Sequence, residues 1–344
     1  MKNYSCDKGK ALLLTDRLTR KYFCGCDVAE GILVITDKFT VFTDARYFSA
    51  AKVIFKNAGI DAVLYKGLAT VQTYLEQNGI KELKVDYSKT TVKEFLEYEK
   101  FGVTISDCSD VIEGLKAVKT ESELNSIKTA CRIVEKACAE VLKTVKKGIT
   151  ETELKDKLEN LMIEYGAEGP SFDTIVAFGL NAAVPHHETG NTALKDNSVI
   201  LIDAGCKVDG YCSDITRTAF FGAPSEEFVK CYNAVKLANE KAIENITDGM
   251  IACDADGIAR QVLNECGLGE YFTHSLGHGV GQEIHEFPTL SVKGKAELKN
   301  GMVFTIEPGV YIDGKFGIRI EDTVVLKDGK VARLYSDDKD LLIL

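Results

Sequence analysis

Residues 202–210 read IDAGCKVDG and residues 306–314 read IEPGVYIDG. The chain thus carries one pattern twice: isoleucine and an acid, then glycine, then Val or Ile with Asp-Gly. No other feature constrains the fold as strongly, because Asp-Gly after a β-rich run predicts a strand that turns back on itself. A two-residue turn at Asp209-Gly210 sets residue 203 opposite residue 216 and leaves Asp214 on the face of Asp203 as its diagonal neighbour. The second turn, DGKFG, is longer; centred on residue 315 it sets Glu307 opposite Thr323, with Glu321 on the same face. Asp203, Asp214 and Thr216 then correspond to Glu307, Glu321 and Thr323. Turn chemistry alone accounts for Asp209, Gly210, Asp313 and Gly314. It does not account for the acids.

Asp203 follows VILI and Glu307 follows VFTI, so both acids sit where water is scarce. Buried carboxylates without partners are costly, and four in a cluster repel one another and take up protons unless cations hold them. Ion pairs are the ordinary remedy, yet Arg217 and Arg319 are the only guanidinium groups in these two hairpins. A metal site is the better expectation, and its oxygen-rich donors favour manganese, cobalt or iron over zinc. All five histidines fall in two short segments, PHH (His186, His187) and THSLGHGVGQEIHE (His274, His278, His285). Glycines flank His278, which lets backbone approach closely and a ring enter a crowded site. It is the expected metal-ligating histidine, whereas His186 and His285 suit contacts to substrate or intermediate. His187 and His274 stay open between a supporting role and simple packing.

Around these motifs the chain divides in two. Residues 1–115 alternate β-rich runs (GILVIT, FTVFT, DAVLY, ELKVDY) with helical stretches at 45–57 and 90–100, a small α/β domain. Capping boxes at Thr120–Glu123 and Thr150–Glu153 open helices expected to stop near Gly148 and Gly166. With the hairpin strands and helical patterns at 225–247 and 254–266, they make 116–344 an α+β domain. A net charge of −10 without a dense basic block excludes nucleic acid as partner. No apolar run is long enough for a membrane span, and ALLL at 11–14 is too short for a secretion-signal core. Eleven cysteines without a CxxC pair fit a reducing cytoplasm better than a disulfide framework.

PHH, IDAGCKVDGYCSDITRT, HSLGHGVGQEIHE, IEPGVYI and IRIEDT, in this order, resemble the motifs of the pita-bread metallopeptidases, in the Xaa-Pro aminopeptidase and Xaa-Pro dipeptidase (prolidase) branch. The resemblance covers about 120–335; KYFCGCDVAEGILVITDKFTVFTDARYFSAA more weakly resembles the creatinase-like N-terminal domain of that branch. It implies two divalent ions, manganese first with cobalt, iron and zinc as alternatives. Asp203 would serve one, Asp214 and Glu321 would bridge both, and His278 and Glu307 would serve the other. It also implies a bridging hydroxide as nucleophile, Glu307 as proton shuttle, and His285 and His186 steadying intermediate and substrate. Arg319 is expected on the opposite strand face, in a supporting place or at the pocket's edge. Tyr311 matches a family active-site position, although a strand tyrosine is commonly just packed. A homodimer follows from the same resemblance. Methionine aminopeptidases resemble the chain less, while creatinase and the non-catalytic binding modules of this fold have broken ligand sets.

The expected substrate is a peptide with proline at its second position. Xaa-Pro-Yaa is favoured over the dipeptide, because no clear cation awaits a dipeptide's C-terminal carboxylate unless Arg319 does that work.

Overall fold

A computed structural model of the chain describes residues 2, 4–27 and 30–344. Val28 and Ala29, inside the segment of weaker resemblance, lie outside the described residues. The chain forms two compact units, Met1–Glu113 and Gly114–Leu344.

The first unit has strands β1 (Lys10–Leu14), β2 (Ile32–Ile35), β3 (Phe39–Thr43), β4 (Asp61–Leu64), β5 (Glu82–Val85) and β6 (Thr104–Asp107) in one mixed sheet of order β4-β3-β2-β1-β5-β6. Helices α1 (Arg17–Cys24), α2 (Ala45–Asn57), α3 (Leu68–Gln77) and α4 (Val92–Tyr98) alternate with them, and α5 (Ser109–Ala117) follows β6. The run ALLL is the core of β1. Ala11 and Leu13 face one apolar cluster, Leu12 and Leu14 the other. A strand buried on both faces reads as an unbroken apolar run, as β2 (ILVI) beside it also does.

In the second unit both capping boxes form, opening α6 (Glu121–Leu142) and α7 (Glu151–Glu164). Helix α6 ends at Leu142, short of Gly148. The N–H groups of Lys143 and Thr144 donate to carbonyls three residues back, and the Thr144 hydroxyl donates to the Val141 carbonyl at 2.8 Å. That local competition tightens the last turn and stops the helix. Next come β7 (Gly169–Pro170), β8 (Ile175–Phe178), β9 (Ser198–Ala204), β10 (Cys206–Val208), β11 (Tyr211–Cys212) and β12 (Ile215–Phe221), then α8 (Glu226–Asn245) and α9 (Ala252–Glu265). The chain closes with β13 (Gly277–Gly279), β14 (Glu286–Leu290), β15 (Val303–Ile306), β16 (Gly309–Ile312), β17 (Phe316–Arg319), β18 (Asp322–Lys327) and β19 (Lys330–Arg333).

The first hairpin has the register its spacing predicts: Asp203 pairs with Thr216, and the turn has positive φ at Asp209 (52°) and Gly210 (77°). The second does not. Ile312 pairs with Phe316, and the Lys315 N–H donates to the Ile312 carbonyl at 3.0 Å, so the loop is Asp313-Gly314-Lys315, centred on Gly314. Thr323 therefore faces Thr305, and Glu307 belongs to neither ladder. Pro308 lacks an N–H and interrupts the strand there, while the Glu307 N–H donates to the Leu276 carbonyl at 2.8 Å.

Both sheet faces around the hairpins are buried. Val199, Leu201, Ile306, Val324 and Leu326 pack with α8 and α9; Ile200, Ile202, Val303 and Val325 pack with α6 and α7. The hairpins also bond to each other, through Glu321 N–H to the Thr216 carbonyl (3.1 Å) and the Thr323 hydroxyl to the Asp214 carbonyl (2.7 Å).

Close backbone approach makes glycine obligatory at the break between β9 and β10. A Cβ on Gly205 would lie 1.9 Å from the Ser213 carbonyl oxygen, whereas one on Gly314 would meet nothing within 4 Å. Gly205→Ala should cost about 3 kcal/mol or more in urea unfolding. Gly314→Ala should cost about 1 kcal/mol, from its left-handed φ alone.

Candidate metal centre

Four separate segments deliver the acids. Asp203 ends the apolar run of β9, and Asp214 precedes β12 where the first hairpin breaks; Glu307 follows β15, and Glu321 stands between β17 and β18. His278 comes from β13. Its Nε2 lies 3.5 Å from Asp214 Oδ2 and 3.4 Å from Glu307 Oε1. Ligand atoms of Asp214, His278 and Glu321 all fall within 4.8 Å of one another. Asp214 and Glu321 are buried, and Asp203, Glu307 and His278 keep only a small exposed edge.

Arg319 is not on the opposite face. Positions two apart in a strand share a face, and its guanidinium joins the acids: Nη2 donates to Asp203 Oδ2 (2.6 Å), Nε to the Thr216 hydroxyl (3.0 Å) and Nη1 to the Tyr311 hydroxyl (2.6 Å). Arg217 is engaged elsewhere, with Asp322 and Asp337. One arginine therefore stands among four carboxylates.

The electrostatic consequence is proton uptake. Burial, then repulsion from Glu321, Asp203 and Glu307, raises Asp214 well above the usual carboxylate range. Glu321 is raised by burial and by Glu307 and Asp203, and Glu307 is lifted by burial to about 8, with Arg319 opposing. His278 goes the other way: burial and the neighbouring His285 lower it to about 4, so it is neutral and free to ligate near pH 7.

The residues fit a divalent cation. Asp203 Oδ1 and Asp214 Oδ1 are buried without a hydrogen-bond partner among the described residues. The 3.4–3.5 Å separations around His278 are too long for good hydrogen bonds. They match two donors sharing one ion at ~2.1 Å each. His278 Nδ1 lies 3.1 Å from the Gly279 carbonyl, which directs Nε2 at the acids.

The remaining histidines and Tyr311 surround this centre. The His285 ring is solvent-exposed and meets His278 edge-on at 4.3 Å between centroids. His186 is also exposed; burial lowers His285, and burial with the neighbouring Arg319 lowers His274 to about 4. Tyr311 connects Arg319 to His274, whose Nε2 is 2.9 Å from its hydroxyl. His187 turns away to Glu151, at 3.0 Å.

Sequence reasoning treated Thr216 and Thr323 only as register marks and passed over Thr305 and Tyr335. The Thr216 hydroxyl donates to Glu321 Oε2 (2.6 Å), that of Thr305 to Glu307 Oε1 (3.1 Å), and those of Thr323 and Tyr335 to the Asp214 carbonyl. The usable signal was the threonine at matching places in SDITRT and IEDTVV.

Two acid-bearing hairpins around one centre, in an α+β domain preceded by a smaller one, define a pita-bread protein with a creatinase-type N-terminal domain. Residues 125–328 match metallopeptidase family M24, residues 6–118 match the creatinase/prolidase N-terminal domain, and the chain belongs to that metallopeptidase family. An Xaa-Pro dipeptidase of Pyrococcus furiosus is 36% identical over 323 residues, 93% of this chain and 92% of that protein. Among solved structures, an Xaa-Pro dipeptidase from Bacillus anthracis superposes with a TM-score of 0.93 at 33% identity, covering 97% of this chain and 95% of that one. An X-Pro aminopeptidase from Thermotoga maritima gives a TM-score of 0.88 at 33% identity, covering 97% of each chain. The protein is thus a metallopeptidase, a hydrolase of a family that uses divalent metals.

Carboxylates with raised pKa values favour the metal-free fold at low pH, and that advantage is lost as pH rises through those values. A cation removes the penalty, so the gain in Tm on adding Mn²⁺ should be larger at about pH 8 than at about pH 6. Measuring the difference with and without metal at each pH cancels all other titrations. An equal gain at both pH values would contradict the assignment. Metal content should also separate two histidines: His278→Ala lowers bound metal, and His285→Ala retains it while kcat falls by ~10².

Proposed function

We propose that this metallopeptidase hydrolyses Xaa-Pro bonds, with Asp203, Asp214, His278, Glu307 and Glu321 holding two divalent ions and the dipeptide as preferred substrate. The observation that carries the reading is the cluster of four carboxylates with one arginine, intact in a chain that aligns end to end with Xaa-Pro peptidases. When bound, divalent ions supply Lewis-acid polarisation of a peptide carbonyl and lower the pKa of water from ~15.7 towards ~7.

The chain's own groups do the rest. Glu307, beside the centre and held by the Thr305 hydroxyl on Oε1, is placed to take a proton from the attacking water and pass it to the leaving nitrogen. Arg319 balances Asp203 and orients Tyr311. His285 and His186, at the exposed edge, donate to the substrate backbone and the developing oxyanion. An Xaa-Pro bond has no N–H at the scissile nitrogen, so recognition rests on the proline ring and the free α-amino group.

The sequence favoured Xaa-Pro-Yaa, with Arg319 the one cation available to a dipeptide's carboxylate. Arg319 is committed to Asp203, Thr216 and Tyr311 and is not free for that carboxylate. The dipeptide reading is supported instead by the names of the Pyrococcus and Bacillus relatives. Manganese as the first metal, a homodimer and a cytoplasmic location belong to the same proposal. Oxygen donors support the first; the last two rest on the resemblance and on cysteine usage.

With Mn²⁺ present, Ala-Pro should be cleaved faster than Ala-Pro-Ala, and N-acetylation should abolish cleavage, as read by mass spectrometry. Cleavage of the tripeptide alone would make the protein an Xaa-Pro aminopeptidase. Inertness towards both, with metal bound, would point to a non-catalytic binding module.

A further inference from the structure

Glu151 is the first residue of α7, 0% exposed, and no lysine or arginine reaches its carboxylate among the hydrogen bonds and ion pairs of the described residues. Oε1 accepts from the Phe178 N–H (2.8 Å) and from Asn181 Nδ2 (2.8 Å). Oε2 accepts from the Gly190 N–H (3.1 Å) and faces His187 Nε2 (3.0 Å). One oxygen thus holds the chain leaving β8 and the other holds the chain returning towards β9. His186 lies on the loop between them, immediately before His187 and after Pro185, whose carbonyl is 3.5 Å from Arg319 Nη1.

Backbone bonds seal the same neck. The Glu151 N–H donates to the Thr192 carbonyl (3.1 Å), and the N–H and hydroxyl of Thr152 donate to the Gly190 carbonyl (3.0 and 2.8 Å). Within the loop the carboxylate is joined by the Thr189 hydroxyl, which accepts from the Val176 N–H (2.9 Å) and donates to the Thr174 carbonyl (3.0 Å), and by Arg319 Nη1 at the Pro185 carbonyl. Among the described residues Glu151 is the one group that bonds both limbs and His187 together. Burying a charged group at such a neck is costly unless every lone pair is used, and four donors converge to use them. The positive end of α7 adds to the balance.

We propose that Glu151 is a positioning residue for the peptidase reaction: its carboxylate clamps both limbs of the 178–190 loop and so fixes His186 against the substrate. The inference rests on the reading of His186 as a substrate contact. Misplacing a reacting or binding group by ~1 Å is enough to cost up to ~10²-fold in rate, so a loosened clamp reads out in catalysis.

The test is a double-mutant cycle on the full-length, Mn²⁺-loaded protein with Ala-Pro as substrate. Glu151→Gln keeps the shape and replaces one acceptor by a donor, against His187 and the Gly190 N–H. It should leave bound metal at the wild-type level and lower kcat/KM by ~10-fold. In the His186→Ala background the same change should cost less than ~2-fold, because the group it positions is gone. Equal losses in both backgrounds would overturn the proposal and leave a role for Glu151 in stability alone. A His186→Ala protein of full activity would overturn it too, by removing the catalytic reading on which it rests. Should Glu151→Gln fail to fold, Asn181→Ala removes one arm of the clamp and enters the same cycle. Its smaller loss must also vanish without His186, and persistence of that loss would sink the idea.

Discussion

Four carboxylates gathered around one arginine, largely out of water, set the terms for the whole catalytic unit. Each buried acid costs free energy when charged, and the cost grows with every neighbour. Asp214, Glu307 and Glu321 respond by holding protons, while Asp203 is neutralised by Arg319. A fold keeps such a cluster only where something outside the polypeptide completes it. Divalent cations, which this metallopeptidase family uses, would complete it.

The architecture supplies this cluster economically. Each hairpin carries two acids near a point where its regular pairing is interrupted, at Gly205 and Ser213 in one and at Pro308 and Ile320 in the other. Regular strands would pair the backbone and alternate the side chains; the interruptions let consecutive acids turn towards one centre. Threonine hydroxyls then tie the hairpins together, and apolar layers on both faces exclude water. His278 enters from a third strand, between two glycines that would each collide with backbone if they carried a Cβ.

Much of this was legible in the residues. Asp203 opposite Thr216 followed from a turn whose two residues fix the register, and of the eleven candidate residues named from sequence ten gather around the acids while His187 turns away to Glu151. Three features were not legible, each for a physical reason. The DGKFG turn closes one residue early because a hydrogen bond from Lys315 to Ile312 selects a three-residue loop, and composition alone does not choose between loop lengths. Arg319 was misassigned by a miscounted strand face, and its partner Asp203, distant in sequence, could be found only in three dimensions. The same holds for the His187–Glu151 contact.

The central claim is that this acid cluster is built around metal. Its most direct test is calorimetric titration of chelator-stripped protein with Mn²⁺, with peptidase activity followed in parallel. Two saturable equivalents per chain, with activity absent before metal and restored on filling, are the result expected. Full activity in protein verified free of metal by elemental analysis would contradict it.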